Sequence, residues 1–129
     1  LILGGVLERF PKLKIVSVEN DIGWISHFIQ RADHAYDRYR FLEREAAVPQ
    51  PPSYYFHRQV YATFQDDRVG IVTRDLVGVG NLMWASDYPH SDSTWPHSRE
   101  VIARDFAGVN EHDRRMITAD NASQLYGVG

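Results

Sequence analysis

The 129-residue chain has a hydrophobic share of 43%, enough for one core of ordinary domain size, which argues against disorder. A formal charge of -3, with acids and bases mixed throughout, leaves no basic stripe for a nucleic-acid backbone. With no cysteine there can be neither disulfide nor thiolate metal site, and no apolar run reaches the roughly 20 residues of a membrane span. A soluble, cytoplasmic protein is therefore the expectation. Because the chain opens on Leu1 in an apolar run without a basic leader, it reads as cut from something longer.

Val6, Leu7 and Phe10 stand at helical spacing, and Pro11 disfavours helix at the residue before it, so a short helix should end near Phe10. Residues 14–18 follow as a strand. Ile15, Val16 and Val18 make it nearly continuous in apolar character, which predicts a strand covered on both faces rather than an edge strand. Glu19 stands at its carboxyl end.

Ile25, Phe28, Ile29, Ala32, Tyr36, Tyr39 and Leu42 recur at three and four residues, opposite Arg31, Asp33, Asp37 and Arg38. This is the longest predicted helix. Pro49, Pro51 and Pro52 predict its end and a loop, because proline removes backbone donors. Residues 60–64 have strand composition. Asp66 or Asp67 is then most simply the cap of a helix carrying Ile71, Val72, Leu76 and Val77, closed by Gly78 and Gly80.

A third strand is predicted at residues 82–85, ending in Ser86-Asp87, with a further helix near residues 99–106. Asn110 and Asp113 have capping spacing before Met116 and Ile117, and Leu125 and Tyr126 fit a last helical turn. Alternating helices and strands mean βαβ units and a parallel sheet, either open or a slice of a closed barrel. Both architectures put ligand groups at the carboxyl ends of strands.

Three positions therefore compete for chemistry: Glu19, Gln65-Asp66-Asp67, and Ser86-Asp87 with His90. A carboxylate at a strand end can hold a divalent metal or act as a general base. Each also has a plainer reading. Glu19 can be a solvated residue leaving a strand, and Asp87 before Tyr88-Pro89 a turn former. His27, His34, His57 and His112 lack metal-ligand spacing, Trp24, Trp84 and Trp95 are expected in the core, and Gly78-Val79-Gly80 is a helix stop rather than a phosphate loop.

Ser86-Asp87-Tyr88-Pro89-His90, followed by Asp92-Ser93-Thr94-Trp95-Pro96, resembles the amidohydrolase-related branch of the amidohydrolase superfamily, which includes aminocarboxymuconate-semialdehyde and resorcylate decarboxylases and related hydrolases. Gly5-Val6-Leu7-Glu8-Arg9-Phe10-Pro11-Lys12-Leu13-Lys14, Glu19 with Gly23-Trp24, and Asn121-Ala122-Ser123-Gln124-Leu125-Tyr126-Gly127 fit the same pattern in order. The resemblance runs essentially end to end.

It implies an α/β fold in which residues 1–129 are the C-terminal half, about strands 6 to 8, of a (β/α)8 TIM barrel. Asp87 inherits the catalytic and metal-facing role at the end of the eighth strand, with Glu19 and His90 as substrate-binding residues and zinc or manganese as the metal of the complete barrel. Some family decarboxylases carry a histidine near the metal where Glu19 stands. The paired metal-binding residues after the first strand and the histidine after the fifth would precede Leu1. The resemblance thus implies a metal-dependent hydrolase or non-oxidative decarboxylase of a small organic substrate, while ligand counting, with Asp87 and Glu19 too few for a catalytic shell, makes this isolated chain inactive and without a tightly bound metal. The competing reading is a non-catalytic truncated-barrel assembly or interaction module. In either case the expected partner is a second copy, forming a homo-oligomer, or a missing N-terminal half.

Overall fold

A computed structural model describes residues 1–40 and 48–128. Helix α1 (Val6–Arg9) leads into strand β1 (Ile15–Ser17), then the long helix α2 (Ile25–Tyr39). Helix α3 (Pro52–Gln59) runs directly into β2 (Val60–Phe64), which is followed by the short helices α4 (Arg68–Val72) and α5 (Arg74–Val77). A 3-10 turn, Val79–Asn81, precedes β3 (Leu82–Trp84), and α6 (Ser98–Asp105) follows it. The chain closes with α7 (Glu111–Arg115), a π-helical turn at Met116–Asp120, and α8 (Asn121–Tyr126). None of the described helices is long and apolar enough to cross a membrane. Leu42, counted in the expected apolar stripe of α2, lies outside the described residues.

The strands pair in parallel in the order β1-β2-β3, with Ser17 opposite Ala62 and Ala62 opposite Leu82. Strand side chains alternate between faces, so Ala62, Phe64 and Leu82 share one face and Val16, Tyr61, Thr63 and Met83 the other. The first face meets Ile22 ahead of α2, Ile25 and Ile29 on its first turns, and Ile71, Phe106 and Ile117 in the main core. Removing this apolar surface from water drives the layers together. On the second face Val18 is exposed at 54%, whereas Met83 is buried at 2%.

Two expectations need correction. Strand β1 was expected to be covered on both faces rather than to be an edge strand; among the described residues it lies at the sheet edge and is half-buried. The prolines after residue 48 were read as a loop, yet Pro52 begins α3. Pro51 is extended, at φ -63° and ψ 153°, and proline at the first helical position loses no hydrogen bond that the helix would have used. Gln59 then closes α3 fully buried, its amide donating to the carbonyls of Phe10 (2.8 Å) and Leu13 (2.9 Å). That ties the α1–β1 loop against β2.

At the other end of the chain, the Asn121 amide donates to Val79 and Leu82 carbonyls, both at 2.7 Å, and so docks α8 on the start of β3. The expected capping pair is present: the backbone N–H of Asp113 donates to Asn110 Oδ1 at 2.9 Å. Asn110→Ala should cost about 1 kcal/mol, the usual loss for an N-cap. A urea melt should therefore show a lower midpoint with an unchanged slope.

Candidate active site

Because the strands are parallel, their carboxyl ends open on one edge of the sheet, and all three candidate segments leave from there. Glu19 follows β1 after Val18, and its backbone N–H donates to Thr63 Oγ1 of β2 at 3.1 Å. Asp87 follows β3 by three residues. Both have left-handed backbone conformations, with φ 59° at Glu19 and 58° at Asp87, and Asp21 shares this at 52°. Such a conformation costs a non-glycine residue roughly 1–2 kcal/mol, so it persists only where surrounding contacts fix it.

These turns bring Glu19, Asp87 and His90 together. His90 Nδ1 lies 2.9 Å from Asp87 Oδ1 and 3.5 Å from Glu19 Oε1, and one ligand atom from each residue falls within 4.8 Å of the others. The Asp87 side chain is the most enclosed, at 12% exposure against 52% for Glu19 and 63% for His90. The loop that carries Asp87 and His90 is pinned by the Ser86 carbonyl, which accepts from Thr94 N–H (3.0 Å) and Ser93 Oγ (2.8 Å).

The three groups bias one another's protonation. Hydrogen bonds from His90 and Glu19 hold the Asp87 carboxyl below its ordinary value. Glu19 is raised, by its hydrogen bond with Asp87 and then by the charge of that neighbour. His90 is raised through its hydrogen bond to Asp87 and by both carboxylates. Near neutral pH the arrangement therefore favours an ionised Asp87 beside an imidazole with increased affinity for a proton.

The acidic pair after β2 does different work. Asp67, 9% exposed, caps α4 by accepting from Gly70 N–H at 2.8 Å, while Asp66 pairs with Arg104. The capping expectation thus holds for Asp67, but its second oxygen also accepts from the N–H groups of Ile22 (2.7 Å) and Gly23 (2.6 Å). That tie was not read from sequence. Gly23 and Gly70 were the available signal, two residues without side chains that flank the carboxylate. Trp24 and Trp95, expected in the core, are exposed, and Trp95 makes an edge contact with Tyr88 on the Asp87 loop at 5.8 Å between centroids. Trp84 is partly buried against the core, and its indole N–H donates to the Gln65 carbonyl at 2.8 Å.

The parallel α/β layer thus carries two carboxylates and an imidazole clustered at its strand ends. The sequence matches the amidohydrolase family over residues 1–128, and the chain belongs to that family. No curated protein matches it in sequence. Among solved structures it is similar to 5-carboxyvanillate decarboxylase LigW from Sphingomonas paucimobilis, with TM-score 0.80 and 25% identity over 99% of this chain and 38% of that one. An amidohydrolase from Mycobacterium avium subsp. paratuberculosis K-10 superposes with TM-score 0.76 and 28% identity, over 99% of this chain and 31% of that one. A dihydroxybenzoic acid decarboxylase from Polaromonas sp. JS666, solved with bound manganese and the inhibitor 2-nitroresorcinol, shares the fold at 18% identity and TM-score 0.76, over 99% and 38% of the two chains. This chain therefore spans about a third of the length of these relatives.

Proposed function

We propose that Glu19, Asp87 and His90 are this chain's share of a metal-dependent amidohydrolase site that hydrolyses or non-oxidatively decarboxylates a small organic substrate. The convergence of the three side chains at the strand ends carries this reading. A carboxylate oxygen such as that of Asp87 suits zinc or manganese, and the other ligands of a catalytic shell would come from outside these three residues. Asp87, the most enclosed of the three, is the residue assigned to face the metal and move the proton. Glu19 and His90 border the substrate. The proposal takes β1 to β3 as strands 6 to 8 of a (β/α)8 barrel in the cytoplasm.

A bound divalent ion would supply Lewis acidity toward a substrate carbonyl or carboxylate. Asp87, held ionised by His90, accepts a proton in hydrolysis and returns it to the leaving group. In decarboxylation a proton must reach the carbon from which carbon dioxide departs, and the Asp87–His90 pair, which shares one, is the group proposed to deliver it. His90, drawn toward its protonated form, is placed to pair with a substrate carboxylate. Similarity to a carboxyvanillate decarboxylase supports an aromatic acid, and similarity to an amidohydrolase supports hydrolysis.

The length matched in the relatives supports a site that needs further residues. With added zinc or manganese, the isolated chain should release neither carbon dioxide from aromatic acids nor acid from amides and esters above background. Metal-dependent turnover abolished by Asp87→Asn would instead show that the site is complete in this chain. A second reading, a non-catalytic assembly module, is favoured by the open sheet edges. Under that reading the purified chain has no specific metal site.

A further inference from the structure

We infer that Asp67, outside the proposed catalytic cluster, is the positioning residue that fixes the Glu19 carboxylate beside Asp87; the inference rests on the site proposed above. Glu19 begins the segment between β1 and α2, and β2 with its following turn supplies that segment's anchors. Thr63 takes the Glu19 N–H, and Asp67 Oδ2 takes those of Ile22 and Gly23. The same carboxylate's Oδ1 is occupied by Gly70 N–H, so one side chain joins two strand-end loops.

The fit around it is close. A Cβ on Gly23 would stand 3.0 Å from Asp67 Oδ1 and 3.2 Å from Val69, and one on Gly70 would stand 2.2 Å from Ile22 Cγ1 and 2.9 Å from Asp67 Oδ2. Both loops can approach the carboxylate only because these positions are glycine. Glu19, at the first anchor, and Asp21, just before the second, are both left-handed. Released from the carboxylate, that segment is free to leave its strained conformation, and Glu19 turns away from Asp87 and His90.

Asp67→Ser separates the two duties, because serine caps a helix about as well as aspartate but is too short to hold Ile22 and Gly23 as well. The experiment measures amide hydrogen exchange and manganese affinity in the wild-type chain, Asp67→Ser, and Asn110→Ala as a cap-removal control. The most telling amide is that of Glu19, which bonds to Thr63 and not to Asp67. In Asp67→Ser its protection should fall by at least about tenfold, and manganese affinity by roughly 10–100-fold, the usual effect of losing a group that orients a ligand. Asn110→Ala should change neither. If Asp67→Ser does not fold, Asp67→Asn, which keeps the side chain's size and one oxygen for the cap but puts an amide donor in place of Oδ2, should give the same result.

Unchanged Glu19 exchange in the folded variant would overturn the inference and leave Asp67 as a helix cap alone. A wild-type chain that binds no manganese would sink the metal reading instead, with the exchange result still deciding the role of Asp67.

Discussion

Purified at micromolar concentration, the chain is expected to sediment as a dimer or larger species rather than as a monomer. Three parallel strands leave one unpaired backbone edge on β1 and another on β3 among the described residues. Parallel sheets are almost always covered, because unpaired donors and acceptors along an edge recruit other chains. The β1 edge is also apolar. Beside it opens a cleft of about 360 Å³ lined by Leu1, Leu3, Ile15, Trp24, Phe28 and Phe56, among others, and few of its walls are polar. Val18 is exposed where the interior face of a barrel would need it covered. Burying such a patch against a second copy, most simply with two-fold symmetry, removes both liabilities. A folded monomer with a cooperative melt across the same concentrations would contradict this and favour a self-contained α/β unit.

The three strands were legible because each is a short, largely apolar run ending in polar residues, as at Val60–Phe64, where expectation and structure coincide. Helix α3 was not, since a pair of prolines terminates or starts a helix depending on the backbone of the residue before it, and Pro51 is extended. The edge position of β1 was misread for a related reason. Apolar continuity in Ile15 and Val16 reports a strand that needs covering, but says nothing of which segment covers it.

That Glu19 and Asp87 would share one end of the sheet was legible from the alternation of strands and helices, whereas the distances between them were not. Glu19 and Asp87 are 68 positions apart in the sequence, and their contact depends on left-handed turns, which aspartate tolerates but glutamate seldom adopts. Asp67 was half legible. Its capping duty follows from local spacing, whereas its tie to Ile22 and Gly23 follows from the packing of two loops.

The largest expected loss comes from Asp87→Asn. That substitution keeps the size of the side chain but removes the charge that His90 and Glu19 arrange themselves around, leaving a neutral amide oxygen where the metal-facing carboxylate stood. Altering a group that merely orients a ligand costs roughly 10–100-fold in metal affinity, so loss of a ligand charge should exceed about a hundredfold. Asn110→Ala, distant in the sequence and confined to a helix cap, should leave affinity unchanged.

The decisive measurement is a manganese titration of the purified chain and of Asp87→Asn, followed by the electron paramagnetic resonance signal of the free ion. The expected result is one weak, saturable site per wild-type chain, vanishing from the accessible range in Asp87→Asn while far-ultraviolet circular dichroism stays the same. Absence of saturable binding in the wild type, or equal affinity in the two proteins, would contradict the assignment of Asp87 as the metal-facing residue of its cluster with Glu19 and His90.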